Sequence, residues 1–125
     1  MGASPLQLVV MLYDGAIKFV KQGQTAMEEG RLFEQNEALQ RAQRIVVELL
    51  SSLDMHRGGE VAKNLFGLYT FCYNELIAAN VEDQPKKLDA VVKVLTDLRE
   101  SWTQLEQQQR GAIDTGGSSD LSAAA

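Results

Sequence analysis

Four stretches of this chain repeat apolar residues at alternating intervals of three and four, and that periodicity constrains the fold more than any other feature. From about Phe33 to Leu53 the seam is Leu39, Ala42, Val46, Leu49 and Leu53, widened by Ala38, Ile45 and Leu50. From about Gly59 to Asn80 it is Ala62, Leu65, Tyr69, Cys72, Leu76 and Ala79, and in the last stretch Leu88, Val91, Leu95, Leu98, Trp102 and Leu105. Such spacing gathers each set on one face of a helix, whereas a strand needs alternation at every second residue. The first helix carries its own boundary signals. Ser4, Pro5 and Gln7 read as N-cap, first helical residue and reciprocal partner of a capping box, and Gly30 ends the helix after about Glu29. Asn80 is expected to terminate the third helix in a left-handed conformation, and Asp83 to cap the fourth, with Pro85 tolerated in its first turn. Short connections force successive helices to run antiparallel. The expected fold is all-α: an antiparallel up-down-up-down four-helix bundle over residues 3–110. From Gly111 the segment GAIDTGGSSDLSAAA loses both periodicity and bulk, and residues 111–125 read as a flexible tail.

Composition removes most function classes. At 125 residues the chain has the length of one domain, enough to bury roughly two thirds of its unfolded surface. A net charge of -5 argues against nucleic acid, which is held through clustered Lys and Arg on its phosphates. The single Cys72 allows no internal disulfide and fits a reducing, cytoplasmic setting as a small core residue. The longest apolar run near the start, LVVML, is far below the roughly 20 residues that span a bilayer, so no membrane insertion is expected. A di-metal bundle needs Glu-x-x-His pairs from two helices, and His56 is the only histidine, placed in the loop DMHRGG. Gly58-Gly59 lack the following Lys and Ser or Thr of a phosphate loop and precede Glu60 instead, so they read as a tight reversal. The acidic pairs Glu28-Glu29 and Glu82-Asp83 lie at helix ends, on solvated surface. No catalytic, metal or cofactor constellation emerges, and no enzyme is expected.

What does emerge is surplus apolar surface. At about 100° per residue, Leu8, Leu12, Ala16 and Phe19 form one side of the first helix, taken as the core side. Tyr13 and Ile17, with Leu6 and Val10, form a second. The combined arc is roughly twice the width a bundle helix buries. The third helix has Phe66, Leu68, Phe71 and Tyr73 beyond its seam, and Val47 and Val94 lie off the centres of theirs. Two readings account for the surplus: a groove for an amphipathic helix of another protein, or a face for self-association in a scaffold or adaptor.

The runs ASPLQLVVMLYDGAIKFV, SSLDMHRGGEVAKNLFGLYTFCYNELIAAN and LTDLRESW resemble the flagellar secretion chaperone FliS family, in consistent order and spacing from about Ala3 to Leu105. The resemblance implies a cytosolic four-helix bundle that binds the C-terminal segment of flagellin, prevents its premature polymerisation and assists its export by the flagellar type III secretion system. It implies no nucleotide or metal, flagellar export gate components as further partners, and a monomer or weak homodimer. The apolar contacts expected to meet the client are Tyr13, Ile17, Val47, Leu50, Leu68, Phe71 and Val94. Family members carry a further N-terminal segment, similar to a removable cover over part of the groove, where here Met1-Gly2 alone precedes Ala3.

Overall fold

The computed structural model describes residues 2–111, which form four helices: α1 (Pro5–Glu28), α2 (Leu32–Ser52), α3 (Gly59–Glu82) and α4 (Pro85–Gly111). The expected tail begins within α4, at Gly111, and its remainder lies outside the described residues. Local chemistry sets the ends much as the sequence suggests. The Ser4 hydroxyl accepts from the Gln7 backbone N–H at 3.2 Å, and the Gln7 side chain returns the favour to the Ser4 N–H at 2.8 Å. Two donors that the first turn leaves without helical partners are thereby satisfied. At the other end of α1, Gly30 adopts φ 73°, and the Arg31 N–H reaches back to the Ala26 carbonyl at 2.8 Å. This left-handed closure is one a side chain would strain.

The α3–α4 turn differs from the expectation. Asn80 lies inside α3, which continues to Glu82, and Asp83 is the residue with φ 54° that closes it. Both side chains are engaged across the bundle. Buried Gln35 of α2 donates to Asn80 Oδ1 at 3.0 Å and to Asp83 Oδ1 at 2.9 Å, while Asn80 Nδ2 donates to Asn36 at 2.8 Å. A polar latch therefore ties the start of α2 to the end of α3. Because its buried members are partnered, it holds register without a large desolvation cost.

Pairings between helices give the directions. Gly15 faces Ile45 and Gly23 faces Leu39, so α2 runs against α1; Asp14 pairs with Arg99 and Gln24 with Asp89, so α4 does too. The principal packing partners form a ring, α1 with α2, α2 with α3, α3 with α4 and α4 with α1, and α1 is the most closely embedded. Glycine explains part of this closeness. A methyl group on Gly23 would stand 2.5 Å from Leu39 Cδ2, inside any permissible contact, so only a missing side chain lets α2 approach there. The core consists of Leu6, Tyr13, Ala16 and Val20 from α1, the seams expected for α2 and α3 except half-buried Leu53, and Leu88, Val91, Leu95 and Trp102 from α4. Leu98 and Leu105 pack at its edge.

At the centre Trp102 Nε1 donates to the Tyr13 hydroxyl at 3.0 Å, and that hydroxyl is also hydrogen-bonded to the Tyr69 hydroxyl. Three helices meet at one buried polar cluster. Burial is the main reason both phenols resist ionisation: Tyr69 is pushed up to about 12 and Tyr13 higher still.

Candidate interaction surface

The apolar surplus is real, but it does not sit where the sequence reading put it. On α1 the core side is shifted rather than kept: Ala16 is buried as expected and Leu12 and Phe19 pack half-buried at the core, but Leu8, assigned to the core, is 51% exposed, and Tyr13, assigned to the surface, is 0% exposed. Tyr13 can turn inward because Trp102 and Tyr69 supply hydrogen-bond partners for its hydroxyl inside the core. It presents no surface to a partner. Ile17 is half-buried against the core, and its helical phase places it on the flank that also carries Asp14 and Gln24, facing α4. Most of the wide arc of α1 is consumed by packing against two neighbours rather than one.

The exposed surplus belongs chiefly to α3. Phe66, Leu68, Phe71, Ile77 and Val81 are all exposed there, the largest such set on any helix among the described residues. Helical phase divides them. Phe66, half-buried Tyr73 and Ile77 lie on the flank that also bears Asn80, which bonds to α2. Leu68 and Phe71, three residues apart, lie on the opposite flank, toward α4.

The neighbouring helices complete two grooves. Val47, 44% exposed, and half-buried Leu50 lie on the flank of α2 away from Ile45, which packs on α1, and therefore toward α3. Between them and α3 is a shallow recess of about 310 Å³ lined by Gln40, Gln43, Arg44, Val47 and Tyr73. Val94, half-buried, is on the flank of α4 opposite Asp89 and Arg99, which bond to α1, and so joins Leu68 and Phe71.

The seven expected residues thus fall into four places. Tyr13 is core; Ile17 is in the α1–α4 seam; Val47 and Leu50 are in the α2–α3 groove; Leu68, Phe71 and Val94 are in the α3–α4 groove. Phe66 and Tyr73 carried the same signal of being surplus to the seam. Ile77 did not, because it sits among alanines that mask the stripe.

A third apolar region lies at the end of the bundle. There Ser4 to Leu12 meet Glu48, Ser52 and Gln109 around a cleft of about 450 Å³, with Leu8 exposed at its edge. The titratable groups suggest no chemistry. His56 is an exposed loop residue whose backbone N–H bonds to Asp54 at 3.2 Å, and burial, then the charge of Glu75, pushes the Cys72 thiol up to about 12, where it is unreactive. Among the described residues no helix is long and apolar enough to cross a membrane, and no three His, Cys, Asp or Glu side chains gather to hold a metal ion.

Comparison with known proteins agrees with this architecture. The family model described as "Flagellar protein FliS" matches residues 1–109. The flagellar secretion chaperone FliS of Vibrio cholerae serotype O1 is 39% identical over 103 residues, covering 82% of this chain and 76% of the relative. That of Salmonella typhimurium is 35% identical over 106 residues (84% and 78%), and that of Bacillus subtilis 32% over 108 residues (86% and 80%). In fold, the chain superposes on a crystal structure of a bacterial flagellar chaperone with a TM-score of 0.78, at 24% identity, over 86% of this chain and 88% of the other. These relatives are chaperones and not enzymes. Residues 1–109, with the four-helix bundle they build, make this chain a member of the FliS family of flagellar secretion chaperones.

Proposed function

We propose that the bundle holds the C-terminal segment of flagellin in the bacterial cytosol, keeping it from polymerising until it is exported by the flagellar type III secretion system. The observation that carries this reading is the pair of apolar flanks on α3, uncovered in a chain of this family. An amphipathic segment with anchors at i, i+3, i+4 and i+7 fits such flanks. If a client covers a few hundred Å² of them, the apolar contribution is several kcal/mol at about 25 cal/mol per Å². Ordering a flexible client offsets part of this, so the complex stays releasable. Release at the membrane would involve export gate components as further partners, and the chain acts as a monomer or weak homodimer.

Isothermal titration with a flagellin C-terminal peptide, followed by circular dichroism of the mixture, tests the reading. Heat of binding with a gain of helix beyond the sum of the parts is expected. Absence of both would refute it. Light scattering over a concentration series separates a chaperone from a scaffold, since a scaffold gives a defined oligomer in the absence of peptide.

A further inference from the structure

We infer that Arg44 sets the direction and register of the client helix by pairing with a carboxylate on it. The inference rests on the chaperone reading above and concerns the α2–α3 groove. Arg44 lines the recess there together with Gln40, Gln43, Val47 and Tyr73, and none of these is acidic although the chain as a whole carries a charge of -5. The other arginines are otherwise disposed. Arg31, Arg41, Arg99 and Arg110 pair with Glu29, Glu37, Asp14 and Glu106, and Arg57 sits in the loop outside the groove. Among the described residues Arg44 has neither an ion pair nor a hydrogen bond.

The rest of the recess sharpens its role. Gln40 donates its amide to Asn36 at 3.2 Å, so Arg44 is the strong donor at the rim, above an apolar floor made by Val47 and Tyr73. That arrangement suits one occupant: an amphipathic client helix with an apolar anchor in the recess and an Asp or Glu about one turn away on the guanidinium fork. Apolar flanks alone accept such a helix in either direction and in several registers. A charge pair at one fixed point does not, and electrostatic complementarity acts mainly on orientation and association rate.

The test uses the full chain and a flagellin C-terminal peptide, together with peptide variants in which each Asp or Glu is singly replaced by its amide. Affinities are read by fluorescence anisotropy at low and high salt. Arg44→Gln should weaken binding roughly 5- to 10-fold at low salt, with the deficit shrinking at high salt; Arg44→Glu should weaken it further and Arg44→Lys recover part of the loss. One peptide variant should show the same loss and none beyond it when combined with Arg44→Gln. Arg57→Gln should bind like the unmodified chain.

Arg44→Gln binding within about twofold of the unmodified chain, or a loss equal to that of Arg57→Gln, overturns the inference and leaves the chaperone reading intact. If Arg44→Glu changes self-association and not peptide affinity, the groove takes a second copy of the chain, and the inference is again overturned. If the unmodified chain takes up no peptide at all, the chaperone reading falls and this inference with it.

Discussion

Replacing Tyr13 by Phe separates a core role from a partner-binding role, because it removes one buried oxygen and almost no volume. In the native bundle that oxygen accepts from Trp102 Nε1 at 3.0 Å and is bonded to the Tyr69 hydroxyl. Without it, two buried polar groups on two other helices lose partners, and each such group costs about 1–3 kcal/mol. The phenylalanine that remains is easier to bury than tyrosine, which returns part of the loss. A net destabilisation of about 2 kcal/mol follows, equivalent to a fall in Tm of about 8 °C for a bundle of this size, or of a little over 1 M in urea midpoint. Trp102 is the only tryptophan, so its fluorescence reports unfolding from the altered site itself. Peptide affinity, measured well below the melting range, should be unchanged. A variant with unaltered stability, or one that keeps its stability and loses binding, would refute the assignment of Tyr13 to the core.

Further outcomes follow from the same geometry. Alanine at Gly23 must displace Leu39 in a closed core and should destabilise by about 1 kcal/mol net of the helix propensity it gains. At Gly67, where a methyl group meets nothing within 4 Å, the same substitution should stabilise by about 1 kcal/mol; urea melts that rank the two the other way refute the packing argument. Replacing both Leu68 and Phe71 by Glu should weaken peptide binding more than tenfold and leave the melt nearly unchanged, since both side chains are exposed; a collapsed melt would place them in the core. Cys72 is raised from 9.0, and Tyr69 from 10.0, to about 12 in the fold. Their neutral forms therefore stabilise the bundle fully below about pH 9, and that contribution is lost as pH rises toward 12, by up to about 1.4 kcal/mol per pH unit per group. Chemical denaturation at pH 8, 9.5 and 11 should show stability falling slightly over the lower interval, where the unfolded Cys72 begins to ionise, and more steeply over the upper one; a rise over either contradicts the burial of these groups.

Some of this was legible before any coordinates. The helices α2, α3 and α4 have narrow seams with one possible inward face, so periodicity alone named nearly every core residue they supply. The Ser4 and Gln7 cap is a local arrangement of three consecutive steps, and local chemistry is what a sequence states most directly. A net negative charge, one histidine and one cysteine excluded whole classes of chemistry by count. The runs from Ala3 to Leu105 were enough to suggest the family.

What the chain could not state was a choice between equals. The first helix is apolar around so much of its circumference that either Leu8 or Tyr13 could face inward on hydrophobicity alone. The decision came from residues 56 and 89 positions away: Tyr69 and Trp102 offer the Tyr13 hydroxyl hydrogen bonds inside the core, so its ring can be buried without leaving the oxygen unpaired. Gly15 and Gly23 then let α2 close over much of the arc that remained, which used up most of the surplus of α1, Leu8 and Met11 excepted, and left that of α3 uncovered. The same limit applied to Asn80 and Asp83, whose roles were set by Gln35 across the bundle rather than by their own turn. Periodicity measures how much apolar surface a helix has; only packing, which depends on side chains far apart in the chain, determines which part of it stays free for a partner.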